Sequence, residues 1–521
     1  MANAINIPKT HLIMGLSLPL AVLIGYFLAE PMDLGSLAVL AAVLGVLCIP
    51  LLMRWYHPLL VVCWNAALTP VFLPGRPGAW AILAFIGLSI AILNRAINRQ
   101  ALFIIVPPVT RSILCLAAVT LATAMLTGGI GSRVFGSSQY GASKYFSLLA
   151  GIAGYFALTS RRIPSDRVGL YLALFFLSGM TYAAVNVALL LGPQFVVVAN
   201  FFSADFAQYQ LRDLEGGATV GMVRYGGLGM LASAVYTYLF ARFGIRGVFQ
   251  LNRPWRLLFL ILPLAAGLMG GFRSYVMLFG LTFVVLFYVE GLHRTRYLPI
   301  GLGLLLLGGA VILPQANHLP LVAQRALSFL PGNFDPAAVM SGSATVEWRV
   351  EMWKQVLPEV PKYLFQGKGF AIDPTDLYLA QQASLRFGGE GLAGTIVAGE
   401  FHSGPLSILI AFGIYGMLAF VWVLIAGLRV LHRYYKFGNP AYRNINTLLF
   451  AAFAGRALFF FIGFGSIHSD IPYFAGLLGF GVALNGADVS PAVQPAVPAV
   501  GPALRPALIN SPRRNFSAHH V

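Results

Sequence analysis

The chain has 521 residues, of which 58% are hydrophobic and 10% charged, and a mean hydropathy of +0.79. No soluble globular class carries that composition, so the bilayer is the expected solvent for most of it. The formal charge of +17 does not point to nucleic acid, because Lys and Arg lie between apolar runs and form no continuous basic face.

Apolar runs fall at about 11–29, 34–52, 58–74, 78–94, 112–127, 145–159, 168–191, 226–241, 257–271, 273–289, 298–313, 405–428, 445–463 and 471–486. Read as spans, they give an all-α polytopic membrane protein of 12–14 helices, the lower count applying if the shortest runs are half-helices. The first run follows Lys9 and lacks a good small-residue cleavage pattern, so it is expected to be a retained helix. Cys48, Cys63 and Cys115 sit in or beside apolar runs with no CxxC spacing, as small core residues do.

Charge tests this count, because one span too many would invert every later loop. With a cytoplasmic N-terminus, most of the 34 basic residues fall on the inner side, among them Arg54, Arg161, Arg162, Arg246, Arg294 and Arg443. Only Asp166, Glu290 and Asp488 of the 17 acids join them, the asymmetry of the positive-inside rule. The expected location is a bacterial inner membrane, with both termini cytoplasmic.

Four regions follow. Residues 1–313 hold eleven spans and an outer loop at about 192–225, and 314–404 form a large extracytoplasmic loop. Residues 405–486 hold the last spans, and 487–521 form a Pro/Ala-rich tail expected to be disordered. Within the large loop, Trp348, Met352, Val356 and Tyr363 are spaced to form the apolar side of a helix over 345–364.

The large loop returns to the membrane through Phe401-His402-Ser403-Gly404-Pro405, and Gly413-Ile414-Tyr415-Gly416 follows on the next helix. Taken alone, His402 is either a functional base or an interfacial polar residue, and GxxG is either part of a signature or a packing face. The pattern resembles the signature of the O-antigen ligase and polysaccharide polymerase superfamily. Gly271-Phe272-Arg273-Ser274 is similar to that family's Arg-bearing turn. Arg349-Val350-Glu351-Met352-Trp353, followed by Gly367-Lys368-Gly369-Phe370, resembles its loop pattern. The likeness covers roughly 224–430.

The resemblance implies glycan transfer on the periplasmic face from an undecaprenyl-diphosphate-linked donor to a glycan or lipid acceptor, without metal or cofactor. Membrane lipids and other components of a polysaccharide export system are the further partners expected. Independently of the family, a diphosphate leaving group develops charge that guanidinium forks stabilise, which suits Arg273 and Arg349. A topology anchor and a solvated loop charge are the plain alternatives for these two. His402 suits proton acceptance from an attacking sugar hydroxyl, and Glu400 is the competing base or an ordinary outer-face acid.

Substrate contacts are also expected from Arg224, Lys368 and Arg456. Arg224 reads otherwise as an interfacial anchor and Lys368 as part of an ordinary turn. Arg456 lies within a span and needs a partner or a water-filled cavity, whose rim would include His468 and Asp470. Ala411 and Phe272 depart from the family pattern, and the departures around the His motif together with the extra spans favour a polymerase over a ligase. The rival class is a polysaccharide or lipid-linked oligosaccharide transporter or flippase, which would gather polar residues near the bilayer midplane in broken helices.

Overall fold

The computed structural model describes residues 34–70, 75–98, 103–131, 141–199, 222–387 and 392–487, with isolated residues between these stretches. Most of the expected first span, much of the 192–225 loop and the tail from 488 lie outside the described residues.

The described chain is helical, with one isolated antiparallel bridge between Leu68 and Phe202. Its main helices are α1 (Leu34–Cys63), α2 (Ala79–Ile97), α3 (Pro107–Thr127), α4 (Ala142–Leu158), α5 (Val168–Leu177), α6 (Thr181–Leu190), α7 (Gly226–Val248), α8 (Pro254–Leu268), α9 (Arg273–Val289) and α10 (Tyr297–Ile312). The intervening loop carries α11 (Leu321–Leu327), α12 (Pro336–Val356), α13 (Pro374–Phe387) and α14 (Leu392–Val397). The chain ends in α15 (Gly404–Phe437), α16 (Arg443–Ile462) and α17 (Ile467–Asn485). Among the described residues, seven helical stretches are long and apolar enough to cross a membrane, and α8, α9 and α10 are shorter apolar helices. The protein is a polytopic membrane protein.

One expectation is corrected. The runs at 34–52 and 58–74 are not two antiparallel spans; they share the single helix α1, which ends at Cys63. Pro50 and Pro58 lie within it, and no glycine or turn former separates them to reverse the chain. Residues 67–69 are instead tied to 201–203, where Thr69 N donates to Phe201 O at 3.0 Å and Ser203 N to Ala67 O at 2.7 Å.

Two sets of contacts define the ends of the bundle. At one end Arg161 donates to Met53 O (3.2 Å), Arg162 to Asn485 O (3.4 Å), Ile245 N to Glu290 (2.8 Å) and Tyr435 OH to Val289 O (2.9 Å). At the other, Lys144 pairs with Glu400 (2.6 Å), Tyr225 N donates to Met269 O (2.9 Å) and Trp353 Nε1 to Phe401 O (2.8 Å). Helices α4, α7 and α15 each have one end in each set. Charges assigned to opposite sides of a membrane therefore lie at opposite ends of the bundle.

Large aromatic residues pack where glycines let helices approach. The Trp64 ring is held between Gly154 on α4 and Gly476 on α17, at each of which an added Cβ would fall within 2.4 Å of it. At the periphery α10 buries no residue, and Leu304 to Leu307 are all exposed, as suits a helix facing lipid.

Candidate active site

The site is built on the entry to α15. His402 has φ +49°, the left-handed region, which costs a β-carbon-bearing residue of the L series about 1–2 kcal/mol. This turns the chain into α15, whose N-cap is Ser403 and whose first turn contains Pro405. The turn is fastened to α12 by the bond from Trp353 Nε1 to Phe401 O. The imidazole lies between Trp348 and Phe464, with ring centroids 5.4 and 5.2 Å away. Its Nδ1 is enclosed without a hydrogen-bond partner, so Nε2 is the more accessible ring nitrogen.

Arg349 comes from the next position on α12 after Trp348. Its guanidinium lies 5.7 Å from the Phe464 ring, so His402 and Arg349 share that aromatic neighbour. Burial, then Arg349, hold the His402 pKa below the ordinary histidine value, while Glu400 pulls it upward. The imidazole is accordingly neutral at pH 7. Burial and the neighbouring Arg273 guanidinium likewise push the Arg349 pKa down from the usual arginine value.

Arg273 opens α9, two helical turns of α12 away from Arg349. Its Nη2 donates to Ser328 Oγ at 2.6 Å and its Nε to Arg325 O at 3.3 Å. The same guanidinium lies against Gly342, where no side chain intervenes. Arg325, not anticipated from the sequence, is buried and donates to Gly271 O, Ser341 Oγ (3.0 Å) and Thr345 Oγ1 (3.1 Å). It clamps the Gly271 turn onto α12 and so sets the position of Arg273. Arg224 joins this edge, its guanidinium 5.5 Å from the Phe272 ring.

Beside this group stands a second one. Lys144 Nζ lies 2.6 Å from Glu400 Oε1 and donates to Ala398 O at 2.6 Å. His468 Nε2 is 3.7 Å from the same carboxylate oxygen, and its Nδ1 is 2.9 Å from Ser466 Oγ. Lys144 was missed by sequence reasoning; its only signal was a lone cation at the outer end of an apolar run.

The remaining expected residues are placed differently. Arg456 pairs with Asp470, which is fully buried and also accepts from Ser466 N at 2.8 Å. The pair pins the turn that carries Phe464, the aromatic floor of His402 and Arg349. Lys368 is exposed, and its backbone is docked: Lys368 N donates to Ile410 O (2.7 Å) and Gly369 N to Ala411 O (2.9 Å). Those carbonyls are free because Gly413, at φ +63°, interrupts α15, and Ile414 N turns outward to Leu364 O (2.7 Å). The GxxG and GKG segments thus meet as a main-chain joint.

The site belongs to a helical membrane protein and lies at one end of its bundle. No family model, curated protein or solved structure matches the chain.

Proposed function

We propose that this protein is an inner-membrane glycan polymerase or ligase, transferring glycan from an undecaprenyl-diphosphate-linked donor to a glycan or lipid acceptor on the periplasmic face. The observation that carries the reading is the convergence of the His402 ring with the guanidinium groups of Arg349 and Arg273 at one end of the bundle. The resemblance of these residues to the O-antigen ligase and polysaccharide polymerase signature supports the same reading.

The chemistry follows from the groups. The acceptor hydroxyl attacks the anomeric carbon of the donor as neutral His402 Nε2 takes its proton. The bond from that carbon to the diphosphate oxygen breaks, and the lipid diphosphate departs with the electron pair. Arg273 and Arg349 offer it fixed, charge-assisted donors at the moment its charge develops. Arg224 extends the cationic edge toward the diphosphate. Arg325 and the Arg456–Asp470 pair are positioning groups, holding Arg273 and Phe464 respectively. Glu400, engaged by Lys144, tunes His402.

Glycans on the lipid carrier of a deletion strain test the assignment. Accumulated single repeat units indicate a polymerase and accumulated long chains a ligase. Units trapped on the cytoplasmic face would reject the transferase in favour of a flippase.

A further inference from the structure

At the end of the bundle opposite His402, a cavity of about 320 Å³ opens between α1 and the turn that joins α4 to α5. Arg54 on α1 and Arg161, Arg162 and Arg167 near the turn line it, with Trp55 and Tyr171 among the other walls. Lys144, near the start of α4, is separated from Arg161 by roughly 25 Å at a rise of about 1.5 Å per residue, so this cavity is distinct from the site above. Its volume falls in the small-ligand range of about 300–1,000 Å³.

Two of the guanidinium groups, those of Arg161 and Arg162, are held by neutral acceptors that leave their charge in place. Arg161 donates to Met53 O at 3.2 Å and lies 4.8 Å from the Tyr56 ring, while Arg162 reaches Asn485 O at 3.4 Å. Among the described residues, the carboxylate that meets the cluster is Asp166, 3.5 Å from Arg167 in an exposed pair of little strength. A topological excess of arginine accounts for cations at this end. It does not account for four of them, from two separate segments, converging on one void. Like charges so gathered repel, and an anion with several acceptor oxygens relieves that repulsion while matching the planar forks.

We infer that this cavity is a phosphate-binding site, taking a phosphoryl group either on an anionic lipid headgroup or free in solution. It stands independently of the proposed transferase activity. The test follows thermal unfolding of the purified full chain in detergent, with added dioleoylphosphatidylglycerol, dioleoylphosphatidylcholine, or inorganic phosphate against chloride of equal ionic strength. Arg54→Gln/Arg167→Gln is the test variant, because both side chains are exposed. Arg294→Gln/Arg296→Gln, exposed cations outside the cavity, is the control.

The wild-type chain is stabilised by phosphatidylglycerol over phosphatidylcholine, or by phosphate over chloride. In the test variant the half-saturating concentration rises about tenfold. In the control variant it is unchanged. A response to phosphatidylglycerol alone identifies a lipid headgroup, and a response to inorganic phosphate identifies a free anion; either supports the site. Equal responses to both lipids together with no advantage of phosphate over chloride would overturn it. So would a control variant that weakens the response as much as the test variant.

Discussion

Replacing Gly342 with alanine tests whether the position of Arg273, and not merely its charge, serves the reaction. The new methyl group would lie 1.7 Å from Arg273 Nη2 and 2.9 Å from Ser328 Oγ. Ordinary contact is about 3.5–4 Å, so the guanidinium must retreat by roughly 2 Å and give up its 2.6 Å bond to Ser328. Losing a hydrogen bond to a charged group costs about 1.5–3 kcal/mol, and the better helix propensity of alanine within α12 returns about 1 kcal/mol. The fold therefore loses little. A displacement of about 1 Å at a reacting centre can lower a rate roughly 100-fold, and the movement here is larger. Glycan extension by the purified protein in nanodiscs should fall at least about 100-fold in Gly342→Ala, with only a small drop in unfolding temperature. Gly308→Ala on α10, where an added Cβ meets nothing within 4 Å, should match the wild type. A folded Gly342→Ala protein with near-normal turnover would refute the reasoning.

Four further outcomes are expected. His402→Gly removes the imidazole and relieves a left-handed residue at a gain of about 1 kcal/mol, so glycan extension should vanish while thermal stability stays close to wild type. Arg349→Gln removes a cation that depresses the His402 pKa, and the acid limb of the pH–rate profile should move to higher pH. Glu400→Gln removes an anion that raises it, and that limb should move to lower pH with activity retained, whereas complete loss of activity would make Glu400 the base. Arg456→Met strands the buried Asp470 carboxylate at a cost of about 3–5 kcal/mol. Thermal unfolding should show that loss, largely recovered in Arg456→Met/Asp470→Leu.

The seven long apolar helices from Ala79 onward were legible because apolar runs of bilayer length alternate with cations. The apolar side of α12 was legible too: Met352 and Val356 are buried against Phe401 and Leu406, with Trp348 and Tyr363 alongside. The continuity of α1 was not, because a short polar patch around Arg54 reads as a loop when nothing local says that the helix persists through Pro50 and Pro58. Lys144 and Arg325 escaped for another reason. Each takes its role from partners brought near only by folding, Glu400 for the first and the Gly271 turn for the second. The GxxG motif was visible, but its use was hidden. Gly413 opens the helix so that Ile410 and Ala411 carbonyls receive the Gly367–Gly369 backbone, a pairing that no helix-period pattern encodes.

Complementation of a deletion strain with His402→Ala and, separately, Arg273→Ala puts the shared role of these two distant residues to the most direct test. Both variants should insert and accumulate at normal levels, yet leave lipid-linked glycan unextended or untransferred, seen as lost polymer on a gel. Polymer of normal length and yield from either variant would contradict the account.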